Sequence, residues 1–189
     1  MGWFVIIGSL PIVVLGILLK DTIESDFRSL WIIGTTLIVM GVVLGIADRV
    51  GRNERAMGQM TWKHAVLLGL AQAAALVPGV SRSGATISMG RFLNYEREAA
   101  TRFAFLLAIP AVVGAGLFEL KEIPHGANAY GPMPTLVATV VSFIVGYAAI
   151  AWLLKYVSTR SYLPFVIYRV LLGAGVLALT AAGVLAAGG

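Results

Sequence analysis

Long apolar runs separated by short polar stretches make up most of this chain. A run of about 17–25 predominantly apolar residues is enough to cross a bilayer as a helix. Five segments are that long, and they predict membrane-spanning helices over 2–19, 30–47, 99–118, 135–154 and 162–185. Proline and glycine inside the first and third segments are compatible with this prediction, because neighbouring helices can satisfy the freed backbone groups.

Segment 65–93 has a different pattern. Its apolar run from Ala65 to Val77 is too short to span a bilayer, and a polar, glycine-rich stretch follows before apolar residues return as far as Arg91. Two short apolar arms around a polar tip predict a re-entrant helical hairpin, whose tip must be buried in protein or face a water-filled cavity. The alternative is a single kinked span with one polar face.

The distribution of basic residues favours the hairpin, since cytoplasmic loops carry an excess of Lys and Arg. If 65–93 returns to the side where it starts, nine basic residues lie on one side and three on the other, whereas a full crossing gives seven against five. The larger set is Arg49, Arg52, Arg55, Lys63, Arg91, Arg97, Arg102, Lys155 and Arg160, and the smaller set is Lys20, Arg28 and Lys121. The bias predicts that the first span starts in the cytoplasm and that the C-terminus lies outside.

Composition supports an all-α integral membrane protein with a single membrane domain. The 189 residues are 59% hydrophobic and 12% charged, whereas a soluble domain carries about 25% charged residues. The absence of cysteine excludes disulfides and thiolate chemistry. The net charge of +5 is spread through the loops, so it does not indicate nucleic-acid binding. Lys20 and Asp21 follow the first apolar run where a signal peptide would need a cleavage site, so we interpret that run as a span.

The polar tip of segment 65–93 carries the candidate chemistry. A guanidinium and several hydroxyls are costly within a membrane domain, so Arg82, Ser81 and Ser83 indicate a functional site. Gly79 and Gly84 allow a sharp turn and the close approach of a ligand. A helix that begins near Ser83 would direct free N–H groups at an anion, and together with Arg82 this arrangement suits a phosphate. The alternative for Arg82 is a structural ion pair with a carboxylate on another helix.

The remaining candidates each have two interpretations. Ser81 and Ser83 are predicted to donate hydrogen bonds to phosphate, because a nucleophilic serine needs an adjacent base and the motif contains none. Thr86 either faces the same cavity or donates its hydroxyl back to a helix carbonyl. Gln72 either reaches the site or ties two helices together. Arg169 interrupts the last span, and it either points into the protein or extends to the membrane surface.

Other kinds of site find less support. His64 and His125 fall in predicted loops, and we interpret both as surface residues. No group of His, Asp or Glu residues has metal-ligand spacing, so no metal site is predicted in this chain. Lipid phosphatases of the acid-phosphatase type need His and Asp at fixed distances after Ser-Arg. This chain has Ser88 and Phe92 at those positions.

The run from Gln72 to Ile87, with its Pro-Gly-Val-Ser-Arg-Ser-Gly-Ala-Thr core, closely resembles the signature of the undecaprenyl-diphosphate phosphatases, the bacitracin-resistance family. The segment 103–110 and the late Tyr168-Arg169 are also similar to that family, and the likeness extends over essentially the whole chain. The resemblance implies hydrolysis of undecaprenyl diphosphate to undecaprenyl phosphate and inorganic phosphate. That reaction recycles the lipid carrier for peptidoglycan synthesis and confers bacitracin resistance.

The resemblance also implies a location and partners. We expect a multi-pass protein of the bacterial cell (inner) membrane that binds a polyprenyl diphosphate lipid and no nucleic acid, with a homo-oligomer left open. The roles implied are diphosphate binding or catalysis for Arg82, Ser81 and Ser83, and substrate contacts for the tip glycines and their neighbours. This second set is Gly79, Gly84, Thr86 and Gln72.

The family fold consists of two inverted repeats, each with a re-entrant hairpin and three spans. A short match between Leu18-Leu19-Lys20 and Leu153-Leu154-Lys155 is compatible with such a repeat. The family also has a Glu-containing helix and a Ser-Ser-Thr-Gly-His run, which this sequence lacks. We therefore expect the N-terminal repeat portion to be missing, together with the ligands of the divalent cation (Mg or Ca) that the resemblance implies. We expect the 189 residues alone to be nearly inactive.

Two alternative functions stay open at this point. An inverted repeat with hairpins also suits a carrier that moves a polyprenyl phosphate across the bilayer. An inactive lipid-binding fragment is the other possibility. Phosphate release distinguishes the enzyme from both.

Overall fold

The computed structural model describes residues 1–19, 29–122 and 132–185, and this part of the chain is helical with no β-strand. The predicted all-α fold is therefore confirmed for the described residues. In chain order their α-helices are α1 (Gly2–Leu18), α2 (Leu30–Val50), α3 (Trp62–Ala73), α4 (Arg82–Phe92), α5 (Arg97–Glu122), α6 (Pro132–Thr159) and α7 (Leu163–Ala181). Single 3₁₀ turns lie at Met57–Gln59 and Ala74–Leu76.

Within the described residues, three helices are long and apolar enough to cross a membrane. They are Leu30–Val50, Met133–Thr159 and Leu163–Ala181. α1 is apolar but shorter, with 17 residues, and α5 covers the predicted span 99–118. Long helices that leave apolar side chains exposed are stable in lipid rather than in water. The predictions for Lys20, Arg28 and His125 concern residues outside the described part.

Glycines allow two pairs of helices to approach closely. A Cβ on Gly173 of α7 would lie 2.7 Å from the carbonyl oxygen of Gly34 in α2, and a Cβ on Gly69 of α3 would collide with the carbonyl oxygen of Gly8 in α1. Small residues at such contacts permit backbone-to-backbone packing between helices of a membrane protein. The α2–α7 and α1–α3 pairs therefore form the close contacts around which the other helices are arranged.

Helices α3 and α4 run antiparallel and form a hairpin, in which the start of α3 lies next to the end of α4. The Nδ1 atom of His64 lies 2.8 Å from the Tyr95 hydroxyl. The backbone N–H of Arg55 donates to the Asn94 carbonyl at 3.0 Å, and that of Glu96 donates to the Arg55 carbonyl at 2.9 Å. The chain therefore returns after α4 to the level at which α3 begins, and residues 74–81 form the tip at the other end.

A buried ion-pair cluster closes the base of this hairpin. It consists of Asp48 in α2, Arg91 in α4 and Arg97 in α5, and we call it the basal cluster. The Asp48 Oδ1 atom accepts a hydrogen bond from Arg97 Nε at 2.6 Å and lies 3.5 Å from Arg91 Nε. Its Oδ2 atom accepts from the backbone N–H of Tyr162, just before α7. The carboxylate thus connects four helices at one level.

Candidate functional site

The hairpin tip is held between α2 and α7. The Thr36 hydroxyl of α2 lies 2.7 Å from the Pro78 carbonyl oxygen. On the other side, the Arg169 Nη2 group of α7 donates to the carbonyl oxygens of Gly79 and Val80 at 2.8 and 3.1 Å. Because both contacts are made to backbone carbonyls, they fix the path of the chain through the tip.

That path requires glycine at position 79. Gly79 has a φ of 88°, and a Cβ there would collide with the Thr36 hydroxyl and lie 2.7 Å from the Ile33 carbonyl oxygen. Ser81 also has a positive φ, of 66°, a conformation that costs a residue other than glycine about 1–3 kcal/mol. Its hydroxyl accepts a hydrogen bond from the Gly84 backbone N–H at 3.2 Å and so caps α4. Local turn chemistry therefore places the start of α4 at Arg82.

The capped start of α4 faces a cavity of about 220 Å³. The hairpin contributes Ser81, Ser83 and Gly84 to its wall, and the other lining residues are Leu44, Ile87, Leu153, Tyr162, Phe165, Tyr168 and Arg169. The backbone N–H groups of Arg82 and Ser83 have no hydrogen-bond partner in the described part of the chain. Free N–H groups and the positive end of the helix dipole favour an anion at this position.

Arg169 provides the charge in this cavity. Its Nε atom is buried without a hydrogen-bond partner within the described residues, and its Nη1 atom lies 3.6 Å from where a Cβ on Gly84 would stand. Among the described residues, no carboxylate lines this cavity. A half-buried guanidinium with unused donors and no counter-ion favours an anionic ligand that supplies both acceptors and charge.

The structure brings Arg169 into the cavity wall beside the predicted Ser81 and Ser83, whereas Arg82 lies outside that wall. Arg82 is the first residue of α4, its side chain is exposed, and it is not in the cavity wall. It forms no ion pair with any described residue, so the alternative of a structural ion pair is not observed there. Arg169, which the sequence left between surface and interior, points inward. The sequence feature that indicated a role for Arg169 was a single arginine within an apolar span.

The two remaining polar candidates lie away from the cavity. Thr86 is fully buried, and its hydroxyl donates to the Arg82 carbonyl at 2.9 Å, which is the second of its two interpretations. Gln72 is also fully buried, and neither of its amide atoms has a hydrogen-bond partner in the described part of the chain. The structure therefore shows Gln72 neither in the cavity wall nor hydrogen-bonded to another described helix.

His64 is not the surface residue that the sequence predicted. It is half-buried at the base of the hairpin, where its ring meets the Tyr95 ring edge to face at 5.6 Å. Burial, with a smaller contribution from Arg55, lowers the pKa of His64. Since His64 lies at the opposite end of α3 from the tip, it is not available as a base for Ser81 or Ser83.

The described residues do not fit the divalent cation that the resemblance implies. Among them, no group of three or more His, Asp or Glu side chains is placed to hold an ion. The polar groups of the cavity wall are hydroxyls and one guanidinium, which are poor ligands for Mg²⁺ or Ca²⁺. What the cavity offers is an electropositive pocket for an anion, with no metal-dependent step assigned to these residues.

Comparison with known proteins agrees with this chemistry. Residues 1–175 match the family described as bacitracin resistance protein BacA. The chain belongs to the BacA family. Over 187 residues it is 71% identical to an undecaprenyl-diphosphatase of Nocardioides sp., a match that covers 99% of this chain and 68% of that protein. An undecaprenyl-diphosphatase of Micrococcus luteus is 56% identical over 190 residues, covering 99% of this chain and 69% of its own length.

A third BacA relative, the undecaprenyl-diphosphatase of Mycolicibacterium smegmatis, is 54% identical over 191 residues and is covered to 69% of its length. The chain thus spans about two thirds of the length of these relatives. The family predicted from the run 72–87 is confirmed, and with it the interpretation as a membrane protein.

Proposed function

We propose that this BacA protein hydrolyses undecaprenyl diphosphate to undecaprenyl phosphate and inorganic phosphate in the bacterial cell membrane. The observation that carries the proposal is the electropositive cavity at the hairpin tip. There, Arg169 with unused donors and Ser83 with a free backbone N–H line the same wall, and no described carboxylate lines it. A diphosphate supplies the charge and the acceptor oxygens that these groups lack.

The cavity also suits the lipid part of such a substrate. Its remaining wall is largely apolar and aromatic, with Leu44, Leu153 and Phe165 from three different helices. We propose that the diphosphate lies against Ser81, Ser83 and Arg169 while the first prenyl units contact this apolar wall. Binding both ends of the substrate in this way would position the phosphorus atoms at the start of α4.

In the proposed reaction a water molecule attacks the terminal phosphorus, and the bond from that phosphorus to the bridging oxygen breaks. The electron pair leaves with the bridging oxygen, which becomes an oxygen of the single phosphate that remains on the lipid. Arg169 and the α4 N–H groups would stabilise the negative charge on the phosphoryl oxygens. Arg82 is exposed and lies between Ser81 and Ser83 in sequence, and we propose that its guanidinium contacts the phosphate attached to the lipid. No residue of the cavity wall is assigned as the base for the water.

The test is phosphate release from a polyprenyl diphosphate by the protein in lipid vesicles. The 189-residue chain is assayed beside the same chain joined to the part of the Nocardioides relative that the match does not cover. We expect release of one inorganic phosphate per lipid from the extended protein. Movement of the lipid across the bilayer without phosphate release would instead support a carrier and overturn the proposal. Turnover by the 189 residues alone would show that they are sufficient for the hydrolysis.

The contribution of Arg82 is tested by binding rather than turnover. We expect Arg82→Ala to weaken binding of a short prenyl diphosphate, while Arg52→Ala, which removes an exposed arginine at the base of the hairpin, leaves it unchanged. Equal binding by the Arg82→Ala and Arg52→Ala variants would exclude Arg82 from the site.

A further inference from the structure

A second cavity lies on other faces of α2 and α7, away from the hairpin tip. Its volume is about 490 Å³. α2 contributes Val42, Gly45, Ile46 and Arg49, which recur at the i, i+3, i+4, i+7 spacing of a single helix face. Leu44, the α2 residue of the first cavity, is on a different face. The two cavities are therefore separate, and we call the second one the α2–α7 groove.

The α2–α7 groove is apolar along most of its length. Val42, Ile46 and Leu163 are 46%, 51% and 51% exposed, and with Val166 they form its apolar wall. These residues belong to two helices that are long and apolar enough to cross a membrane. This wall thus provides a surface that suits a hydrocarbon chain.

The other end of the groove is cationic. Arg49 lies one turn beyond Ile46, is exposed and forms no ion pair with any described residue. Arg97 uses its Nε atom on Asp48, and its terminal nitrogens donate no hydrogen bond within the described residues. Asp48 is the only carboxylate that the described part of the chain contributes to the groove wall, and both its oxygens already accept hydrogen bonds. Cationic donors are therefore in excess at this end.

We propose that the α2–α7 groove binds an anionic phospholipid. Its phosphodiester would lie between Arg49 and Arg97, with the Ser161 hydroxyl beside it, and one acyl chain would follow Val42 and Ile46. Arginine side chains at the end of an apolar groove between membrane helices recognise lipid phosphates by charge and by paired hydrogen bonds. The inference does not rest on the proposed function, because it involves neither the hairpin tip nor Arg169.

Retention of lipid by the purified full chain tests the proposal. The protein in detergent is exchanged with dioleoyl phosphatidylglycerol or dioleoyl phosphatidylcholine, which have the same acyl chains, and bound lipid is counted by native mass spectrometry. We expect phosphatidylglycerol to be retained in preference to phosphatidylcholine. Arg49→Gln should reduce that preference by about fivefold, the size expected for one arginine next to an anionic headgroup.

Arg52→Gln is the matched control. It removes the same charge three residues further along, from an exposed side chain outside the groove wall, and we expect retention to be unchanged. Because Arg49 and Arg52 are both exposed, both variants are expected to fold. Equal retention of the two lipids, or an equal loss with both variants, would overturn the proposal.

Two competitors distinguish other sources of phosphate. If millimolar inorganic phosphate displaces phosphatidylglycerol, the groove recognises free phosphate and the lipid assignment is wrong. If a polyprenyl monophosphate is retained in preference to phosphatidylglycerol, the groove binds the product class of the proposed reaction and not a membrane phospholipid. Retention of phosphatidylglycerol against both competitors supports the proposal.

Discussion

An arginine lies at each end of the α3–α4 hairpin, Arg91 of α4 at the base and Arg169 of α7 at the tip. The surroundings of these two arginines are opposite in kind. At the base, the terminal nitrogens of Arg91 donate to Asn53 Oδ1 and to the carbonyl oxygens of Asp48, Gly51 and Tyr95. Asp48 balances the charge of Arg91. At the tip, Arg169 donates to two carbonyls with Nη2 alone. The Nε atoms of both arginines are buried without a hydrogen-bond partner within the described residues, so the difference lies in the terminal nitrogens and in the counter-charge.

This difference separates structural from ligand-binding cations in the same protein. The Arg91 side chain is 0% exposed and surrounded by acceptors from the protein itself, so there is no room and no need for a ligand. Arg169 lines a cavity to which the described residues contribute no carboxylate. The counter-charge and the use of the terminal guanidinium nitrogens therefore distinguish the two roles, whereas the residue type does not.

Replacement of Arg91 is expected to give the largest effect on stability. Arg91→Met leaves the surrounding carbonyls and part of the Asp48 charge without a partner, and breaking a buried pair in this way costs about 3–5 kcal/mol. Thermal unfolding in detergent measures the loss. Arg82→Met, which removes an exposed arginine from the other end of α4, should change the free energy of unfolding by about 0.5 kcal/mol or less. Similar losses for both variants would remove the distinction between base and tip.

Replacement of Arg169 should affect ligand binding more than stability. Charge-assisted hydrogen bonds contribute about 1.5–3 kcal/mol each. We therefore expect Arg169→Gln to weaken binding of a short prenyl diphosphate by about 10- to 100-fold. Arg169→Lys keeps the positive charge but lacks the forked guanidinium. Its affinity for the diphosphate should therefore lie between those of the wild type and Arg169→Gln. Unchanged binding in a strongly destabilised Arg169→Gln protein would make this arginine structural, like Arg91.

A smaller loss of stability and of diphosphate binding is expected from a substitution in the tip turn, which Arg169 and Thr36 contact. Gly79→Ala introduces a side chain at a φ of 88° and against the Thr36 hydroxyl, so it should cost about 1–3 kcal/mol of stability and also weaken diphosphate binding. Gly58→Ala is the control, because a Cβ at Gly58 meets no atom within 4 Å. Binding that survives Gly79→Ala intact would show that the path of the tip does not define the site.

The smallest predicted effect is a pH dependence at the base. Burial and the nearby Arg55 lower the pKa of His64 below its usual value of 6.5, so the folded protein favours the neutral ring that contacts Tyr95. This contribution to stability is present above pH 6.5 and is lost as the pH falls through the lowered pKa. The unfolding temperature should decrease on acidification, and His64→Gln should show a weaker decrease. An identical decrease in both proteins would assign it to other groups.

Features encoded by residues close in sequence could be predicted from the chain alone. Helix type and the polar hairpin tip follow from local periodicity and from turn residues such as Gly79, while Ser81 and Ser83 reach the cavity because they flank the start of one helix. The family followed from the same short run. The contacts of Thr86 were left as two alternatives, because a small rotation of α4 decides between a cavity and its own helix carbonyl.

Features formed by distant residues could not be predicted in the same way. Arg169 lies about ninety residues from the tip, and only the packing of α7 against α2 determines that it faces the hairpin. Likewise, the sequence placed Arg91 among the basic residues of one membrane side but could not identify Asp48 as its partner, since nothing local connects them. His64 was assigned to the surface because its contact with Tyr95 exists only once the hairpin has closed.

The hydrogen bonds of Arg169 to the hairpin tip couple anion binding to the position of α7. The same guanidinium that would hold an anion also fastens α7 to the Gly79 and Val80 carbonyls, so occupancy of the cavity and docking of the last helix are thermodynamically linked. An anion that accepts hydrogen bonds from the unused donors of Arg169 would stabilise the packing of α7 against the hairpin. By reciprocity, a change that loosens α7 at its distant Gly34–Gly173 contact would lower affinity for the anion without touching the cavity.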